Sequence, residues 1–306
     1  MQEIKSYLGW KVDYLNPPGE PAFAGPDSVS WQVFKNPIAL AIGGVAAVLL
    51  EFADARIRSG VWDHSVFKVD PIGRSLRTGL AGALGIYGPQ SAARRVIQGV
   101  TNMHAKVEGK TPSGEAYKAL DVELLDWVSA TAGYAFLMGY HRFVRRLSDE
   151  EIAVLLSQVE PSQRLFGVQN PIRSFADFDA MLEKLLPRFE PHPINDEFLE
   201  IMKSGRAAPH VPVWLQRAFV NASVDILPPA VRERLELGPE YDLKWWQAAA
   251  IRLVGQLAER IPDKKGIAAQ SCERLGLPRD FLWKSKKTQQ KLLAERGPLS
   301  EMYPAE

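Results

Sequence analysis

The segment from Pro37 to Phe52, PIALAIGGVAAVLLEF, is apolar around its whole circumference, and Glu51 is its sole charged residue. A helix of this kind has no wet face, so other elements must cover it on most sides. It is shorter than the roughly 20 residues that cross a bilayer, and it ends on Glu51 and Asp54, which points to a buried central helix. Association of the same helix with a membrane or a partner is the competing reading. The rest of the chain has the means to cover it. Apolar residues make up 46% of the 306, enough for one large core without disulfides or structural metal.

Lys and Arg number 37 against 36 Asp and Glu, a formal net charge of +1. That balance supplies no broad field for nucleic acid or an anionic membrane. The lone cysteine, Cys272, fits a reducing compartment and cannot build a cysteine-rich metal site. The opening residues lack the basic start and apolar run of a signal peptide, so a cytoplasmic protein without an integral membrane span is expected.

Residues 1–28 are rich in Pro and Gly and read as an arm over the core; 29–260 form one helical domain; 261–306, with Lys284, Lys286, Lys287 and Lys291, read as a peripheral basic segment. Helices are expected over about 37–58, 74–87, 90–107 and 122–146, with shorter ones following to about 259. Gly88-Pro89 separates the second from the third. Residues 109–121 read as a loop, Asp121 caps the long helix, and Ser148 with Glu151 matches a capping box. No strand ladder is evident, and the fold class is all-α, a single compact multi-helix domain.

Phosphate-loop, dinucleotide, zinc-protease, Cys-x-x-Cys and hydrolase-elbow motifs are all absent. Five histidines remain. His192 and His210 sit among prolines as surface-loop residues. His141, beside Arg142, Arg145 and Arg146, suits a helix C-terminus. His64 follows Trp62-Asp63 in a short loop, as an Asp-oriented pair or a capped turn. His104 shares a helix face with Ile97, Val100 and Val107. By position alone it is either a core histidine bonded to a carbonyl or an imidazole offered to a metal or haem iron.

Its surroundings bear on that choice. Arg74-Ser-Leu-Arg77-Thr78 is followed by Asn102-Met-His104-Ala-Lys-Val107-Glu-Gly109 and by Tyr117-Lys-Ala-Leu-Asp121 through Trp127-Val128. The order resembles the catalytic domain shared by fungal ER-bound MpaB-type oxygenases and bacterial latex-clearing rubber oxygenases, from about Gly25 to Pro229. The resemblance implies a globin-like helical core around a haem pocket, haem b as cofactor, and dioxygen used on an apolar, alkene or isoprenoid-like substrate. It makes His104 the iron ligand and places Arg74, Arg77 and Thr78 near the haem or its oxygen. Glu51, Asp63 and His64 are the distal acid–base candidates, Glu51 first, because a carboxyl closing an apolar helix has a raised pKa. A homodimer is left open.

Two positions depart from the family pattern. Arg77 stands where the latex-clearing branch has a lysine, and a guanidinium is a poor metal ligand. Ser129 stands where many members have the histidine of Trp-Val-His. Another haem chemistry, peroxygenase or dehydratase-like, and a non-catalytic helical binding protein with a degenerate site are the rival readings.

Overall fold

The computed structural model describes residues 6–7, 10–66, 69–206 and 211–297. A short ribbon, β1 (Ser6–Tyr7) and β2 (Trp10–Lys11), precedes α1 (Val29–Phe34), α2 (Pro37–Phe52) and α3 (Ala55–His64). A helical hairpin of α4 (Pro71–Tyr87) and α5 (Gln90–His104) follows, then the antiparallel ribbon β3 (Glu108–Lys110) and β4 (Ala116–Lys118). The long α6 (Val122–Phe143) leads to α7 (Asp149–Leu165), α8 (Phe175–Leu185), α9 (Pro193–Lys203), α10 (Val213–Asp225) and α11 (Pro229–Arg234). α12 (Trp245–Arg260), α13 (Ile267–Arg274) and α14 (Lys286–Arg296) complete the α-helices of the described residues. The protein is all-α, with only these two small ribbons among the described residues.

The apolar helix α2 is central, as its composition requires, and α6 is its main partner. Two glycines let their backbones touch. A Cβ on Gly43 would lie 2.8 Å from Phe136 Cα, and one on Gly139 would lie 2.8 Å from Ala39 O. Any larger residue at either site would force the helices apart. Farther along, Trp127 Nε1 donates to Leu50 O at 3.2 Å and its ring stacks on Phe178, tying the last turn of α2 to α6. Among the described residues no helix is long and apolar enough to cross a membrane.

Three local expectations are corrected. The helix expected over 37–58 breaks at Ala53–Asp54, where Asp54 turns extended and its Oδ1 accepts from Arg56 N at 2.9 Å, capping α3. Its backbone then bridges Phe189, a long-range bond that local periodicity does not reveal. Trp62, Asp63 and His64 belong to the last turns of α3 instead of a loop. The presumed loop 109–121 contains the β3–β4 ribbon, which pairs Gly109 with Tyr117.

Beyond residue 260 the lysines and the apolar residues part company. Lys286, Lys287 and Lys291 are exposed, while Ala268, Cys272, Leu275, Leu277 and Phe281 are buried in the main core. Arg274, also buried, donates from Nε to Glu20 O, from Nη1 to Tyr14 O and from Nη2 to Tyr87 O, at 2.7–2.9 Å. One guanidinium thereby joins the N-terminal arm, the end of α4 and the C-terminal region.

Candidate functional site

The α4–α5 hairpin sets the geometry. Its turn lies at Gly88-Pro89, Arg74 stands fourteen residues before Gly88, and His104 stands fifteen after Pro89. At 1.5 Å per residue both lie about 21–23 Å from the turn, on adjacent antiparallel helices, so the two residues share a level. The charge of Arg74 acts on His104 accordingly. His104 is half-buried at the last position of α5, where helix carbonyls ordinarily favour imidazolium. Burial, reinforced by Arg74, outweighs that tendency and lowers the imidazole's pKa, leaving a neutral ring with a nitrogen lone pair.

Glu51 approaches from the end of α2. Burial pushes its carboxyl up to about 7, against the opposing charge of Arg74 and a contact with Thr131 of α6. Thr131 Oγ1 donates to Val128 O at 2.8 Å and lies 3.4 Å from Glu51 Oε1, at the outer limit of a second donation. So long a contact does little for the ionised form. Arg74 thus links an imidazole and a carboxyl that are both less charged than free residues would be.

Directly along α4 from Arg74, Ala81 is buried and Gly85 packs against Ser162, but the side of the helix next to that line is bare. Thr78 follows one turn on, its hydroxyl donating back to Arg74 O at 3.0 Å, and Gly79 and Gly82 come next. A Cβ on either glycine would meet nothing within 4 Å. A flat group can therefore lie close against this stretch of backbone. Arg77 points elsewhere, its Nη1 3.5 Å from Asp70 Oδ2 at the start of α4.

Asp63 and His64 form a second grouping. Both are exposed, and His64 Nε2 lies 3.2 Å from the hydroxyl of buried Tyr117. Tyr117 Oη lies only 2.6 Å from where a Cβ on Gly109 would be, and its ring is 3.4 Å from the same point on Gly60. This explains the glycine five residues after His104: the β3–β4 ribbon that follows α5 folds Tyr117 over it. Burial and the nearby Asp63 raise the Tyr117 hydroxyl's pKa. The structure thus brings Glu51, Arg74 and His104 into one electrostatic group, and Asp63 and His64 into another around Tyr117.

Thr131 and Tyr117 were missed by sequence reasoning. Thr131 is one hydroxyl inside the apolar α6, eighty residues from its partner, and carries no local signal. Tyr117 is visible only as the inward residue of a three-residue strand. Ser129, at the departing position, has a buried Oγ with no partner among the described residues. Of the other histidines, His141 Nδ1 accepts from Leu147 N and His192 Nδ1 accepts from Ile194 N, both as capping groups. Burial lowers the pKa of each, so His141 serves its helix end as an acceptor instead of a cation. His210 lies outside the described residues.

No curated protein and no solved structure matches the chain. Residues 31–258 match the family described as "ER-bound oxygenase mpaB/B'/Rubber oxygenase, catalytic domain". That span holds α2, the α4–α5 hairpin, the β3–β4 ribbon and α6, and the chain belongs to this family of oxygenase catalytic domains.

Proposed function

We propose that this oxygenase-family protein binds haem b through His104 and uses dioxygen on an apolar, alkene-bearing small substrate of isoprenoid type. The observation that carries the reading is the neutral, half-buried imidazole at the end of α5, level with Arg74. The donor set fits. No group of three or more His, Cys, Asp or Glu side chains suited to a bare metal ion occurs among the described residues. A single imidazole suits iron whose equatorial positions a macrocycle supplies. The bare face at Thr78, Gly79 and Gly82 offers backbone against which a planar macrocycle can lie.

When bound, haem supplies redox-active iron, which opens dioxygen chemistry on a carbon–carbon double bond. The protein's residues do the rest. His104 would hold the iron, and its lowered pKa keeps the proton from competing for the ring nitrogen. Arg74 provides a fixed positive charge beside the site. Glu51, pushed up to about 7, accepts or returns a proton at its carboxylate oxygen at little cost. The apolar residues of α2 and α6 around it limit water, which is the same desolvation that raises its pKa. Arg77, engaged with Asp70, offers no amine to the iron.

The test is the visible spectrum of the protein purified after expression with haem supplied, alongside His104→Ala. The parent is expected to show a Soret band that the variant loses or shifts, and to consume dioxygen in the presence of an isoprenoid alkene. A parent that stays colourless on haem titration overturns the cofactor, and a band unchanged in the variant overturns the ligand. Haem binding without oxygen uptake, but with turnover of a peroxide or loss of water from a substrate, would shift the reaction to the rival haem chemistries.

A further inference from the structure

Helix α12 is turned the wrong way round for a surface helix. Its inner side rests on Gln247, Ile251 and Gly255, and Asn36 Nδ2 donates to Gly255 O at 3.0 Å. The sole acid of the helix, Glu259, also faces inward, 3.0 Å from Lys35 Nζ and accepting from Tyr140 Oη at 3.0 Å. The opposite side carries the larger apolar residues. Trp245 is 82% exposed and Leu253 60%, while Trp246 and Leu257 are each more than two-fifths exposed, and Ile261, just past the end, is 64% exposed. Steps of four residues from 245 to 261 drift about 40° each, so these residues spread over the half of the helix opposite Ile251, along about 24 Å. Single exposed apolar residues need no explanation, but a continuous row with two tryptophans marks a contact surface.

Charge selects the occupant. Arg252 and Arg260 flank the row with no carboxylate partner among the described residues, and Lys244, Lys264 and Lys265 stand at its two ends. Of the acids beside the row, Asp242 pairs with Arg232, while exposed Glu240 and Asp263, which accepts from the backbone of Lys265 and Gly266, leave the cations in excess. A second copy of the same face would set one cation-rich row against another. An anionic layer neutralises both. Tryptophan at the level of polar headgroups, aliphatic side chains below and arginines reaching back to phosphate describe a helix lying in a bilayer surface. The near-zero net charge of the whole chain conceals this local excess.

We propose that the outer face of α12, Trp245, Trp246, Leu253, Leu257 and Ile261 with Arg252 and Arg260, docks the protein on the surface of an anionic bilayer without crossing it. Neither haem nor substrate enters the test, so its result is independent of the oxygenase reading.

The experiment is co-sedimentation of the full chain with phosphatidylcholine vesicles, with and without phosphatidylserine. Two surface variants, Trp245→Ser/Leu253→Ser and Arg252→Gln/Arg260→Gln, run in parallel. The parent is expected to pellet with the anionic vesicles, to be released by salt, and to show a blue-shifted tryptophan emission. The apolar pair of substitutions lowers partitioning at least about tenfold, and the arginine pair about fivefold for each charge removed. Unchanged circular dichroism and melting show that both variants fold. A parent that stays in the supernatant overturns the proposal, as does binding that survives both variants. A dimer in sedimentation velocity that Trp245→Ser/Leu253→Ser converts to monomer also overturns it, assigning the face to a second copy.

Discussion

Glu51 carries a penalty that its folded surroundings impose and that pH can remove. In the unfolded chain its carboxyl titrates near 4.5, and in the folded protein burial moves it to about 7. At about 1.4 kcal/mol for each pH unit, that displacement costs the folded state about 3 kcal/mol once the group is ionised in both states. The sign follows from the direction. A carboxyl whose folded pKa is raised contributes fully below pH 4.5, loses that contribution as pH climbs to about 7, and changes nothing further above it. Glu51→Gln keeps the shape and removes the proton equilibrium. The stability of Glu51→Gln minus that of the parent should therefore grow by about 3 kcal/mol between the acid and neutral ends of the window. Urea melts of both proteins below pH 4.5, near 6 and above 7 measure it directly. A difference that stays constant with pH would show that Arg74 holds Glu51 ionised and would refute the assigned balance of burial and charge. Adding Arg74→Met removes the opposing charge, so the rise should become larger and continue to higher pH.

Two further outcomes follow from other parts of the fold. Arg274→Met leaves three buried carbonyls without their charged donor, which should cost roughly 3–5 kcal/mol in chemical denaturation and make the N-terminal arm the first site cut in limited proteolysis; unchanged stability would contradict the clasp. Gly109→Ala puts a methyl group 2.6 Å from Tyr117 Oη. It should destabilise the β3–β4 ribbon by roughly 1–3 kcal/mol, read as faster amide exchange over residues 108–118, and protection equal to the parent's would refute the contact.

Features written into short stretches of chain were legible from sequence. The apolar run 37–52 announces a covered central helix because no rotation gives it a polar side. The glycine and proline between two helical patterns mark where one helix ends and the next begins, and the family resemblance, not the helix lengths, linked Arg74 with His104. Glu51 was legible as a carboxyl ending an apolar helix, hence one with a raised pKa. Contacts between distant segments were not legible. The break at Asp54 depends on Phe189, the Glu51–Thr131 contact joins positions eighty residues apart, and the β3–β4 ribbon hides among residues that also make ordinary loops. In the C-terminal region lysine dominates the composition, while Cys272, Leu275 and Phe281 fill the core beneath it. Charge counting sees the outside of such a segment and overlooks its inside.

The equal arms of the α4–α5 hairpin make its turn the zero mark of a ruler. Deleting one residue from either arm would slide one functional group by about 1.5 Å and swing it about 100° around its helix, out of line with its counterpart. Removing one residue from each arm would keep the two groups level but still turn both away. Only the loss of about a whole turn from both arms restores level and direction together. The hairpin's length is therefore quantised by the pair of residues at its open end.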